Sequence, residues 1–306
     1  MNVATTLQST DSSLRRTPAP AVVLELLKPV TWFPPMWAFA CGAISSGAII
    51  GEHRIAFATG IVLTGPLVCA ASQAINDWYD RHVDAINEPD RPIPSGRVPG
   101  MWGLVIAVAW SLLSLAVGAT LGIRGVLAAI IAIVLAWAYS APPLRLKRNG
   151  WYGNLAVGLS YEGLAWIAGA ALMLAPALPS WRVAAVALMY SIGAHGIMTL
   201  NDFKSIEGDR VSGVRSLPVQ LGAKRAGLVA CAMMLVPQVV VVALLWRWSY
   251  SWQAAAVTVL ALVQIPLMRR LLQSPKARAP WYNQTGVTLY VSGMMLSAFA
   301  LRAVAR

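Results

Sequence analysis

The 306 residues are 58% hydrophobic and only 12% charged, which excludes an ordinary soluble domain and points to a chain that crosses a membrane repeatedly. A net charge of +12 does not here indicate a nucleic-acid binder, because the basic residues are spread over loops between apolar runs rather than gathered on one face. The three cysteines, Cys41, Cys69 and Cys231, all fall inside apolar runs, where they read as small packing groups and not as a disulfide framework.

In chain order, residues 1–24 are rich in Ser, Thr, Pro and Ala and lack the apolar core of a signal peptide. They read as a disordered cytoplasmic tail ahead of a transmembrane domain over 25–306. A helix needs about 20 apolar residues to cross a hydrocarbon core of ~30 Å. Such runs lie at 30–50, 56–76, 101–122, 124–141, 151–175, 181–201, 225–247, 252–269 and 284–304, which predicts an all-α polytopic protein of nine spans. With the N-terminus inside, 18 of the 24 Lys and Arg fall in inner segments, as the positive-inside bias requires.

Eight of the twelve acids sit in two short clusters, each opened by an Asn-Asp pair at the end of an apolar run. Asp77, Asp80, Asp84, Glu88 and Asp90 follow the second span; Asp202, Glu207 and Asp209 follow the sixth. An even number of crossings separates the two loops, so both face the cytoplasm and can face each other, like half-sites of an internal duplication. Asn76, Asp80 and Asp84 are spaced i, i+4, i+8 and share one helix face. Asn201, Ser205 and Asp209 repeat that spacing, with Asp202 one position round. Carboxylates so crowded repel one another unless a cation offsets them.

Oxygen ligands without His or Cys favour a hard ion, Mg²⁺ above Ca²⁺ or Mn²⁺, and Mg²⁺ binds through a few carboxylates plus substrate phosphates. The metal candidates are therefore Asn76, Asp80, Asp84, Asp202 and Asp209, with Asp77 and Glu207 completing the catalytic clusters. Arg81, Arg91, Arg210 and Arg215 beside the clusters, and Lys147 and Arg148 after the fourth span, are candidate donors to a diphosphate. Each is equally an ordinary positive-inside charge.

At these residues a resemblance becomes specific. The stretch Asn76-Asp77-Trp78-Tyr79-Asp80-Arg81-His82-Val83-Asp84, continuing through Glu88-Pro89-Asp90-Arg91-Pro92 to Arg97, resembles the first motif of the intramembrane UbiA-type prenyltransferases in their chlorophyll-synthase branch. Asn201-Asp202-Phe203-Lys204-Ser205-Ile206-Glu207-Gly208-Asp209-Arg210, with Arg215-Ser216-Leu217-Pro218 beyond, resembles the second. Pro29 to Trp37 and Pro280 to Asn283 look closer still to members of that branch from purple bacteria. The resemblance implies a bundle of nine transmembrane helices in a bacterial cytoplasmic or intracytoplasmic membrane. It implies a prenyltransferase that takes a C20 prenyl group, geranylgeranyl or phytyl, from its diphosphate to the propionate carboxyl of bacteriochlorophyllide. Where many relatives have Asp-x-x-x-Asp in the second motif this chain has Ser205, which shifts the missing ligand to Asp202 or Glu207. Chlorophyllide or a quinone-precursor ring is the alternative acceptor, and a polyprenyl-lipid transporter the alternative class. A prenyl reductase, pigment-binding proteins and a second copy of the chain are partners by biosynthetic context.

Four further residues are candidates for the prenyl chain or the tetrapyrrole. Tyr79 and Tyr139 would offer ring faces to an allylic cation, or else anchor at the headgroups. Glu162 is an acid near mid-membrane, and His195 would ligate the central metal of a macrocycle; each is equally a hydrogen-bonding link between helices.

Overall fold

The computed structural model describes residues 17–302, which form helices and connecting turns with no β-strand among the described residues. The first helix, α1 (Pro20–Leu27), starts on a proline, whose missing N–H is harmless in a first turn. It ends at Lys28, left-handed at φ 48°. The tail boundary expected at residue 24 falls inside this helix, because Leu26 and Leu27 bury against Ala70, Ala74 and Ile75 and so order the segment around them. Residues 1–16 of the expected tail lie outside the described residues.

Next come α2 (Phe33–Ser45) and a long rod made of α3 (Arg54–Val62), a π-helical turn (Leu63–Cys69) and α4 (Ala70–Asn87). Pro66 has no N–H to give to the ladder, and the helix widens around it. A Pro-rich loop separates α4 from α5 (Trp102–Thr120), and a tight turn joins α5 to α6 (Gly122–Ser140). A second rod with a widened middle follows: α7 (Gly150–Gly158), a π-helical turn (Leu159–Leu164) and α8 (Ala165–Met173). Then come α9 (Trp181–Asp202), the short loop helices α10 (Ile206–Ser212) and α11 (Leu217–Leu221), and α12 (Ala223–Arg247), α13 (Ser251–Gln273) and α14 (Pro275–Arg302).

Among the described residues, seven rods are long and apolar enough to cross a membrane, running from Arg54–Ile86 to Ser251–Gln273. The first and last of the nine expected spans fall short for different reasons. Helix α2 has 13 residues, about 20 Å of rise, while α14 is long enough but diluted by Gln284, Thr285, Thr288, Ser292 and Ser297.

Neighbours in sequence pack as neighbours in space, and α14 returns against α2 and α9 to close the bundle. Small residues permit the closest approaches, as expected where helices meet without a hydrophobic drive between them. A Cβ on Gly42 would overlap the Trp166 carbonyl, and one on Gly169 the Phe39 carbonyl, so α2 and α8 touch backbone to backbone. Polar side chains also link the helices internally. Tyr290 Oη donates to the Tyr190 carbonyl at 2.8 Å, and Gln238 and Gln264 exchange amide hydrogen bonds at 3.3 and 3.0 Å. The outward faces carry Leu112, Leu113, Val134, Val239 and Leu262, suited to lipid.

Candidate active site

Between the rods lies a cavity of about 1120 Å³, lined at one end by both acidic clusters. Single small-ligand pockets run to about 300–1,000 Å³, so this one has room for two substrates. Asn76, Asp80 and Asp84 line it together from the last turns of α4; Asp202, Ser205, Glu207 and Asp209 line it from the end of α9 and from α10.

Four acids of the first cluster are paired with cations, and Arg91 serves three of them. Asp80 forms an ion pair with Lys147 Nζ at 2.6 Å and accepts from Arg145 Nη2 at 3.3 Å. Asp84 Oδ2 accepts from Arg91 Nη1 at 2.8 Å, and Glu88 from Arg91 Nε at 2.6 Å. Asp77 is turned off the cavity wall and 1% exposed. Its Oδ1 meets Lys28 Nζ at 2.6 Å and Arg91 Nη1 at 3.6 Å. Burial pulls the Arg91 guanidinium down, but the charges of Asp77, Asp84 and Glu88 outweigh it and hold the group above its ordinary value. Burial pushes the Lys147 ammonium below its ordinary value, against the opposing pull of Asp80.

Asp202 and Asp209 of the second cluster are held by neutral donors. Asn154 Nδ2 donates to Asp202 Oδ2 at 3.1 Å, and Ser205 Oγ to Asp209 Oδ2 at 3.1 Å. Burial raises the Asp209 carboxyl above the usual carboxylate range, with hydrogen bonds from Ser216 and Ser205 working against that rise. Glu207, 71% exposed at its side chain, is tied to Lys276 at 2.6 Å. Of the two stand-ins considered for the acid absent at Ser205, Asp202 is the one set in the cavity wall with a buried partner.

Backbone pairing aligns the two basic loops. Gly150 N–H donates to the Arg215 carbonyl and Arg215 N–H to the Arg148 carbonyl, both at 2.8 Å. A Cβ on Gly150 would stand 2.6 Å from the Leu217 nitrogen, so glycine is needed for this approach. The pairing sets Lys147 and Arg145 over Asp80, with Arg145 left-handed at φ 39°.

Other candidates lie elsewhere. Arg81 folds back on its own helix, its Nη1 donating to the Trp78 carbonyl at 2.7 Å and its guanidinium 4.1 Å over the Trp78 ring. Arg148, Arg210 and Arg215 do not line the cavity, while Lys28, Arg145 and Lys204 do. Lys28 carried no sequence signal, since 49 residues separate it from Asp77; Arg145 and Lys204 were visible only as members of basic runs. Tyr139 and Glu162 line the cavity. Tyr79 instead packs edge-on to Trp137 at 6.1 Å, and His195 lies 2% exposed under Trp151, ring centres 5.6 Å apart.

The donors across the cavity mouth are oxygens of Asp and Asn, matching a hard cation. Among the described residues no three of His, Cys, Asp or Glu converge tightly enough to hold a metal unaided. Mg²⁺ bound by one or two carboxylates and completed by phosphate oxygens and water needs no such cage, so the residues present fit it. A smaller apolar pocket adjoins the cavity, sharing Val68, Ala132, Ser160 and Tyr161 with it and continuing past Leu63, Ala128 and Ala168.

Residues 26–293 match the UbiA prenyltransferase family. The chain is 54% identical over 297 residues to the bacteriochlorophyll synthase 33 kDa chain of Rhodobacter capsulatus, covering 96% of this chain and 98% of that one. It is 39% identical to the chloroplastic chlorophyll synthase of Avena sativa, over 90% of this chain and 75% of the relative. A solved UbiA homolog from Archaeoglobus fulgidus, bound to GPP and Mg²⁺, superposes with a TM-score of 0.66 at 22% identity, over 92% of this chain and 99% of that one.

Proposed function

The chain belongs to the UbiA prenyltransferase family, and from that membership we propose that it esterifies the propionate of bacteriochlorophyllide a with a C20 prenyl group, geranylgeranyl or phytyl. One observation carries the diphosphate chemistry: two acidic helix ends open on one cavity with Arg91, Arg145 and Lys147 between and beside them. The acceptor follows from the greater likeness to a bacteriochlorophyll synthase, 54% identical, than to a chlorophyll synthase, 39% identical.

Asn76, Asp80 and Asp84 on one side and Asp202 and Asp209 on the other would hold Mg²⁺, which when bound neutralises charge on a diphosphate leaving group. Lys147, Arg91, Arg145 and Lys28 donate to the remaining phosphate oxygens and stabilise the charge that develops as the allylic C–O bond ionises. Arg81, Arg148, Arg210 and Arg215 stay outside that contact and shape the loops or meet lipid headgroups. The reactive carbon of the prenyl group stays at the acidic mouth beside the diphosphate, and the chain extends through the main cavity toward the apolar wall at Val68, Ala132 and Tyr161. Tyr139 presents its ring beside the allylic cation. The acceptor carboxylate is ionised at neutral pH, so no general base is required.

The seven rods, together with α2 and α14, would cross a bacterial inner or intracytoplasmic membrane nine times, with residues 1–24 and both acidic loops in the cytoplasm. A prenyl reductase, pigment-binding proteins and a second copy of the chain are its candidate partners. The test is direct: purified protein with Mg²⁺ and geranylgeranyl diphosphate receives bacteriochlorophyllide a, chlorophyllide a or a quinone-precursor ring in turn, and the product is resolved by chromatography. Ester from bacteriochlorophyllide a in excess is the expected result. A prenylated ring or chlorophyllide ester as the main product would replace the acceptor, and no transfer to any acceptor would overturn the reading.

A further inference from the structure

Glu162 is an acid that the diphosphate chemistry does not use. Its carboxyl is 8% exposed, lines the main cavity and leaves Oε2 without a hydrogen-bond partner. Twelve residues separate it from Gly150, so it lies roughly 18 Å below the cytoplasmic end of its rod. The cations of the cavity, Lys28, Arg91, Arg145, Lys147 and Lys204, all belong to that cytoplasmic end. A carboxyl at such depth is costly unless something meets it.

In the π-helical turn Leu159–Leu164, Tyr161 borders both the main cavity and the apolar pocket, whereas Glu162 borders the main cavity alone. Tyr161 Oη reaches across to Ser72 Oγ at 2.6 Å and Cys69 Sγ at 3.3 Å. Glu162 lies roughly a quarter turn further round the axis. Ala194, Ile197, Val287 and Val291 supply apolar walls to the main cavity, suited to a flat, largely apolar macrocycle.

Resting on the proposed acceptor, we infer that Glu162 is the axial ligand of the magnesium carried by the bacteriochlorophyllide, positioning the macrocycle with its propionate toward the acidic mouth. Four ring nitrogens leave that ion an open axial site, and a hard cation takes a carboxylate oxygen readily. His195 is not a competing ligand, since neither ring nitrogen borders the cavity and Trp151 covers the ring. Glu162 is therefore a positioning residue that selects metallated over metal-free macrocycles.

The experiment titrates detergent-purified protein with bacteriochlorophyllide a and with its metal-free form, following the visible absorption band that reports axial coordination. Calorimetry with geranylgeranyl diphosphate and Mg²⁺ checks that each variant is folded. The native protein is expected to bind the magnesium form at least about tenfold more tightly, the size of one charge-assisted contact. Glu162→Leu is expected to erase that preference and the coordination band, and Glu162→His to restore both with a shifted band. An unchanged preference in Glu162→Leu, or equal weakening of both pigments, overturns the inference while leaving the acceptor standing. Donor binding by the native protein without binding of either pigment overturns the acceptor reading itself.

Discussion

Asp77 and Asp80 stand three residues apart on α4 in opposite surroundings. Asp80 faces the cavity, where Lys147 and Arg145 hold it without covering it. Asp77 is sunk behind the wall and fastens Lys28 and Arg91, joining α1 to the loop that follows α4. Asp80→Asn should therefore cut kcat by about 10²–10³-fold, the usual cost of one electrostatic contact to the reacting group, with a smaller loss of stability than Asp77→Asn because Asp80 itself is partly exposed. Asp77→Asn should do the reverse in emphasis, lowering stability by about 1–3 kcal/mol as two cations lose a buried partner. Equal losses of turnover with equal stabilities would remove the distinction. The sequence carried half of this contrast: the i, i+4, i+8 spacing selects Asn76, Asp80 and Asp84 as one face and leaves Asp77 off it. The partners were illegible, because Lys28 comes from 49 residues away and depends on a left-handed residue after α1.

Helices were legible as lengths of apolar sequence, and their interiors were not. Leu63–Cys69 and Leu159–Leu164 lie inside otherwise continuous hydrophobic runs, and only Pro66 marks either as irregular. Hydropathy cannot report a ladder that widens by one residue, yet the widened segment holds both Tyr161, which meets Ser72 on the facing rod, and Glu162, which borders the cavity. Close helix contacts were hidden for a similar reason, since a glycine in an apolar run looks like any small residue. Gly42→Ala places a methyl into the Trp166 carbonyl and should destabilise the α2–α8 contact by about 1–3 kcal/mol, the range for overpacking. Gly51→Ala meets nothing within 4 Å and serves as the control. Matching unfolding temperatures for the two variants would show that α2 can shift away from α8 at no cost.

At the scale of the whole molecule, the parity of crossings already placed both acidic loops on one face, and the shared cavity agrees with it. The ends of the bundle are where apolar length alone misleads, for α2 is too short to cross by itself. Its fastenings argue that it crosses with help. Lys28, just before it, is bonded to Asp77 near the cavity-mouth end of α4. Ser45, at its far end, accepts a hydrogen bond from Trp166 Nε1 on α8 at 3.1 Å, beyond the middle of that rod. The chain from Lys28 to Ser46 thus spans most of the bilayer by adding a 3₁₀ turn at Pro29–Thr31 to the helix. Single cysteines test this, because the native Cys41, Cys69 and Cys231 are buried and should stay silent toward a membrane-impermeant maleimide. Leu24→Cys and Ser95→Cys, both at exposed positions, should label from the cytoplasmic face in inverted vesicles. Gly51→Cys, also exposed, should label only in right-side-out vesicles. Labelling of Leu24→Cys and Gly51→Cys from the same face would mean that α2 enters and returns, leaving Lys28 on the wrong side to meet Asp77.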